Sequence, residues 1–123
     1  MLRALGIAVA VVAFGSTAAL AAGDAAKGAT IFNRCVICHS NTKGAPNKIG
    51  PNLFGVVGRK AGTALGFSYT GAMKNSGITW TEDKLEAYVQ HPAQVVPGNK
   101  MAFAGLSSPA QADDLVAYLA TLK

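Results

Sequence analysis

From Ser40 to Thr70, and again from Pro92 to Ser107, the chain is punctuated by Gly, Pro, Asn and Ser and carries no sustained apolar period. A compact domain does not hold a structureless loop of about thirty residues unless something packs against it. The remaining chain offers little for that purpose. Three segments read as helices. The first runs from about Asp24, a fitting N-cap, to Ile37, with Gly28, Ile31, Phe32 and Cys35 on one face. The second starts after Thr81, carries Glu82 and Asp83 in its first turn, puts Leu85, Tyr88 and Val89 on one face, and stops at Pro92. The third is capped by Ser108, has Pro109 at its first position, and repeats Leu115, Tyr118, Leu119 and Leu122 at helical spacing. A short helical turn fits Gly71 to Asn75. No segment alternates as a strand does, and there is no internal repeat. The expected fold is all-α: three main helices and a short one, with long loops wrapped around a large core that the chain itself does not supply.

Composition narrows the setting. The chain has 123 residues and is 50% apolar, which fits one domain. Residues 1–22 account for much of the apolar excess. Met1-Leu2-Arg3 is a basic start, Ala4 to Phe14 an apolar run too short to span a bilayer, and Ala19-Leu20-Ala21 a small-residue cleavage signal. The expected arrangement is a cleaved secretory signal over 1–22 and a folded domain over 23–123. Cleavage falls after Ala21 or Ala22; a retained anchor is the other reading. No basic stripe with interleaved aromatics is present, which sets nucleic acid aside. From Gly23 on, ten basic residues face six acidic ones, a modest excess suited to an acidic partner.

Cys35-Val36-Ile37-Cys38-His39 answers the packing problem. Cysteines at i and i+3 point the same way from one helical turn. Each thiol can add to one vinyl group of a haem, and the adjacent His39 then projects to the iron, so C-x-x-C-H reads as c-type haem attachment. A thioredoxin-like pair would need a preceding strand in a βαβ setting, and a structural zinc site would need four ligands where only His91 remains. His91, beside Pro92, reads as a helix-end residue.

The sixth iron position decides the chemistry. An open position would suit a peroxidase-like haem enzyme, whereas a thioether raises the potential and leaves no substrate site. The candidates are Met73 and Met101. Met101 lies in the Gly- and Pro-punctuated loop from Pro97 to Gly105, far in sequence from His39 and suited to closing over the opposite haem face. Met73 reads as a core filler.

With these elements in place, the sequence resembles a class I cytochrome c of the mitochondrial and similar bacterial type, over essentially Gly23 to Lys123. The likeness is carried by Cys35 to His39, Gly50-Pro51-Asn52-Leu53, Gly58-Arg59-Lys60, Gly66 to Thr70, Gly77 to Trp80, Lys100-Met101, Phe103-Ala104-Gly105 and Leu115 to Tyr118. The resemblance implies one covalent haem c with His39 and Met101 as axial ligands. It implies that Pro51 accepts from the free ring nitrogen of His39, that Tyr88 lies near the Met101 sulfur, and that Arg59, Tyr69 and Trp80 donate to a propionate. Asn99, where threonine is usual, would also reach a propionate, and Phe103 would support the pocket. Gly28 would let the first helix approach the last, with Phe32, Leu115 and Tyr118 at the crossing. Met73 stands where the family has an asparagine, and Ala93 and Gln94 replace a partner-facing lysine pair.

The function implied is a one-electron carrier, not an enzyme, working as a monomer in the periplasm. Its partners would be acidic redox proteins engaged transiently: a cytochrome bc complex or dehydrogenase as donor, an oxidase or photosynthetic reaction centre as acceptor. No nucleic acid and no stable membrane insertion are expected.

Overall fold

A computed structural model describes residues 8–12 and 23–123. The expected cleavage region lies outside the described residues. The elements are α1 (Ala25–Ile31), a 3-10 turn (Phe32–Arg34), α2 (Gly71–Lys74), α3 (Glu82–Gln90), α4 (Pro92–Val95) and α5 (Pro109–Leu119). Among the described residues no helix is long and apolar enough to cross a membrane, and the only extended pairing is an antiparallel bridge between Lys60 and Thr79.

The capping residues act as their chemistry dictates. The Asp24 carboxylate accepts from the backbone N–H groups of Ala26 and Lys27, Thr70 from Met73, Thr81 from Lys84, and Ser108 from Gln111. Each removes an orphan donor at a helix start, worth about 1 kcal/mol. Three boundaries depart from the sequence reading, the simplest being the last helix, which ends at Leu119 and leaves Leu122 beyond it. The first α-helix ends at Ile31 rather than near Ile37, and the chain tightens into i to i+3 bonding, with Cys35 N–H on Phe32 C=O at 2.7 Å and Cys38 N–H on Cys35 C=O at 3.0 Å. Phe32 is fixed in the helix crossing while His39 must reach another loop, and the tighter turn meets both demands. Pro92 does stop α3, but it also occupies the first position of α4, where its missing N–H carries no penalty.

α1 and α5 cross closely, and α5 also packs on α3. A Cβ on Gly28 would collide with the carbonyl of Asp114 and lie 2.7 Å from Cβ of Tyr118. Only glycine permits that approach. The crossing is filled by Phe32 and Leu115, both buried, and by Tyr118, whose ring centroid lies 5.3 Å from that of Phe32. Asp114 accepts from the backbone N–H of Asp24 at 2.7 Å, tying the start of α1 to α5.

The long loop from Ser40 to Thr70 is stitched by side chains bonding to backbone. Ser40 donates to Pro46 C=O at 2.6 Å, Asn52 donates to Thr42 and Ala45, and Asn47 accepts from Asn52 N–H at 2.8 Å. Gly28→Val is expected to lower the unfolding free energy of the holoprotein by about 3 kcal/mol or more, at the upper end of overpacking effects because backbone as well as side chain is struck. Guanidinium chloride denaturation followed by circular dichroism measures it, and a loss below about 0.5 kcal/mol would contradict the close crossing.

Candidate functional site

The middle of the molecule is a cavity of about 470 Å³. Its walls come from the 3-10 turn and the segment after it, the loops around residues 49–59 and 67–73, α3, the loop 99–103 and α5. Cys35, Cys38, His39, Met101, Tyr88 and Trp80 all line it. The volume lies within the range of cofactor sites, about 300–1,000 Å³, and the wall is mainly apolar with a few convergent polar groups. Both thiols are unpaired. Burial pushes the Cys35 thiol up, against a smaller opposing pull from Arg34.

His39 is held from two sides. Its Nδ1 lies 2.7 Å from the carbonyl oxygen of Pro51. A carbonyl only accepts, so Nδ1 carries the proton and Nε2 keeps its lone pair. A Cβ on Gly50 would strike the imidazole, coming within 2.7 Å of Nδ1, so the loop can lie flat against the ring only as glycine. Burial lowers the His39 pKa, partly opposed by the Pro51 bond, which favours the neutral, metal-ligating imidazole.

The donor groups expected for a carboxylate are distributed as follows. Arg59 is partly buried and donates to the carbonyls of Asn52 at 3.1 Å and Phe54 at 3.4 Å, which orients its guanidinium while leaving further N–H groups. Desolvation lowers its pKa, with Tyr69 opposing. The Tyr69 hydroxyl accepts from Ala64 N–H at 3.0 Å and keeps its own proton to donate. Trp80 is buried, with its ring 4.8 Å from that of Tyr88. Trp80 lines the cavity, and among the described residues no side-chain polar atom is sealed away unsatisfied. Desolvation alone pushes Tyr88 up to about 12.

Asn99 lines the cavity and is bonded to backbone on both sides. Its amide nitrogen donates to the carbonyls of Pro92 and Val96, both at 2.9 Å, and its oxygen accepts from Met101 N–H at 3.0 Å. Both amide hydrogens are committed to backbone, so the side chain anchors the Met101 loop to α4 rather than offering a donor to a propionate. The signal available in sequence was an Asn two residues before the candidate ligand, a spacing typical of an Asx turn. Phe103 is half-buried and lines the cavity, as does Met73 from α2. His91 sits at the exposed C-cap of α3, away from the cavity.

The donor set therefore fits a haem: two thiols and an imidazole on one tight turn, a thioether in a separate loop, and donors for acidic side groups around an apolar hollow. Asn99→Ala is expected to loosen the loop by about 2 kcal/mol, the worth of its net hydrogen bonds. Amide hydrogen exchange at Met101 in the holoprotein should then speed up by about thirtyfold, and unchanged exchange would reject the anchoring role.

Comparison with known proteins agrees with this geometry. The family model described as Cytochrome c matches residues 25–123. Cytochrome c2 of Blastochloris viridis is 49% identical over 104 residues, covering 85% of this chain and 82% of that protein. Cytochrome c of Arabidopsis thaliana is 49% identical over 98 residues, covering 79% and 88%. The solved structure of cytochrome cH from Methylobacterium extorquens is 45% identical, with a TM-score of 0.76 over 80% of this chain and 99% of that one. With the fold, the two thiols three residues apart, the histidine-bearing turn and these matches together, the chain belongs to the class I cytochromes c, electron-transfer proteins that carry one covalently attached haem c.

Proposed function

We propose that the chain is a soluble periplasmic one-electron carrier whose iron is held by His39 and Met101. The observation that carries the ligation is the pairing of an oriented imidazole with a separately anchored thioether on one cavity. When bound, the haem supplies the Fe(III)/Fe(II) couple. The protein's part is to hold and tune it. Cys35 and Cys38 fix it through thioethers. Pro51 holds His39 in the tautomer that presents Nε2. Asn99 holds the Met101 loop, so the soft sulfur ligand stays in place in both oxidation states and raises the potential. Arg59, Tyr69 and Trp80 hold the acidic side groups, whose burial without donors would be very costly. The apolar wall from Leu85, Val89 and Leu115 keeps water away and disfavours the extra positive charge of the oxidised state.

Residues 1–22 act as a cleaved secretory signal; the family match beginning at residue 25 supports this reading. Donor and acceptor are acidic redox proteins of the cytochrome bc, dehydrogenase, oxidase or reaction-centre kinds, met transiently by a monomer.

Three measurements test the reading. A pyridine haemochrome spectrum of the exported protein should show two saturated vinyl positions, and Cys38→Ala should sharply lower the holoprotein yield; normal stable holoprotein from that variant counts against two thioethers. Met101→Ala should keep the haem attached, lower the midpoint potential by well over a tenfold change in redox equilibrium, and open the iron to small ligands; an unchanged potential rejects Met101. N-terminal sequencing of the exported chain should begin at Ala22 or Gly23, and a chain beginning at Met1 rejects cleavage.

A further inference from the structure

The stretches 40–58 and 61–70 face each other across an open cleft of about 440 Å³, whose walls include Asn47, Asn52, Arg59, Ala64 and Leu65. Neither stretch contains a helix. The bridge at Lys60 pairs with Thr79, a later segment, and does not close the cleft. Among the described residues a single hydrogen bond joins the two stretches, from Asn47 Nδ2 to Leu65 C=O at 2.8 Å.

The same carboxamide also holds its own side of the cleft. Asn47 Oδ1 accepts from Asn52 N–H at 2.8 Å. The Asn52 carbonyl in turn receives both terminal nitrogens of Arg59, each at 3.1 Å. Across the cleft, Leu65 follows Ala64, whose N–H is taken by the Tyr69 hydroxyl at 3.0 Å. The Phe67 and Tyr69 rings then meet edge to face, 4.8 Å between centroids. One side chain is thus linked through backbone to both Arg59 and Tyr69, which line the central cavity. The residue type suits the place: a carboxamide offers a donor and an acceptor on one planar group, a carboxylate only acceptors and an alkyl group neither. No Asp or Glu occurs from residue 25 to 81, so no carboxylate of these loops claims Arg59 and its charge stays available to an acidic group in the cavity.

We propose that Asn47 is a positioning residue for redox tuning: it sets how firmly Arg59 and Tyr69 are held around the acidic side groups of the haem, and through them the midpoint potential. This rests on the reading that those two donors meet those groups. The physical link is charge compensation. A negative group close to the haem favours Fe(III), and donors held against it reduce that pull and keep the potential up. Loss of the Asn47 carboxamide lets the two loops part at the open cleft, where water takes over the freed backbone groups and the donors lose their fixed spacing. A stitch that served only the fold would change stability and leave the potential where it is.

The test is potentiometric titration of the mature holoprotein at neutral pH and fixed salt. Asn47→Ala should shift the Fe(III)/Fe(II) equilibrium about threefold toward the oxidised form at a given applied potential, the effect of about one weakened net hydrogen bond, with the Met101–iron charge-transfer band retained. Tyr69→Phe alone should shift it in the same direction. Adding Asn47→Ala to Tyr69→Phe should then move it less than Asn47→Ala moves the wild type, because part of the path is already cut. Should Asn47→Ala mature poorly, Asn47→Ser, too short to span both partners, carries the same expectation. An unchanged potential in the Asn47 variant overturns the proposal, whatever happens to its stability, and so does full additivity with Tyr69→Phe. In either case a shift from Tyr69→Phe alone leaves the reading of Arg59 and Tyr69 as propionate donors standing. A potential unmoved by Tyr69→Phe and by Arg59→Gln removes that reading and this proposal with it.

Discussion

The hydrogen bond from His39 Nδ1 to the Pro51 carbonyl, 2.7 Å long, joins the two parts of the molecule that must agree. One part is the turn after α1, which carries both thiols and the imidazole. The other is the long glycine-rich loop, which has no helix of its own and a single antiparallel bridge, at Lys60. Gly50 lets that loop lie against the imidazole, and its N–H reaches Cys38 C=O. With this junction made, the loop becomes a wall of the cavity, while Arg59 and Trp80 are tied to each other by the bridge beside them, Trp80 N–H on Arg59 C=O at 2.9 Å. Without it, His39 has neither a fixed tautomer nor a fixed direction.

A second constraint sits on the far side of the cavity. The crossing of α1 and α5 through Gly28 fixes where the 3-10 turn begins and so where Cys35 and Cys38 point. The same α5 carries Leu115 and Leu119 to the cavity wall. The Met101 loop approaches from the remaining side, tied by Asn99 to α4. Three separate stretches of sequence thus converge on one hollow, each with its own local anchor. A haem iron held between two groups anchored in this way would change oxidation state without a change of fold, which is what a carrier requires.

How much of this was legible beforehand depends on the kind of interaction. The caps at Asp24, Thr81 and Ser108 and the turn at Gly71 are local signals, and each appears where the side-chain chemistry puts it. The attachment motif is local as well, and the need for a non-protein core followed from the unfilled loop. The early end of α1 was not legible, because the switch to 3-10 bonding serves a tertiary demand that no periodicity records. Nor was α4, a single turn started by a proline that also stops its neighbour. Asn99 lines the cavity as expected of a pocket residue, and its hold on backbone was not legible for a related reason. An asparagine in such a loop offers itself equally to a cofactor and to backbone, and the folded loop shows its bonds to backbone. The stitching of residues 40–70 by Asn47, Asn52 and Ser40 belongs to the same class: polar side chains acting across a loop leave no pattern in sequence.

Two methionines line the cavity, Met73 from α2 and Met101 from the anchored loop, and the central claim is that only the second reaches the iron. Proton–carbon NMR of the reduced holoprotein, with methionine methyl groups labelled and Met73→Leu used for assignment, reads this directly. A thioether on the haem axis places its methyl in the shielding cone of the ring. The account predicts one methyl resonance displaced far upfield, retained in Met73→Leu and therefore belonging to Met101. A displaced signal that vanishes in Met73→Leu, or two signals at ordinary positions, would contradict it.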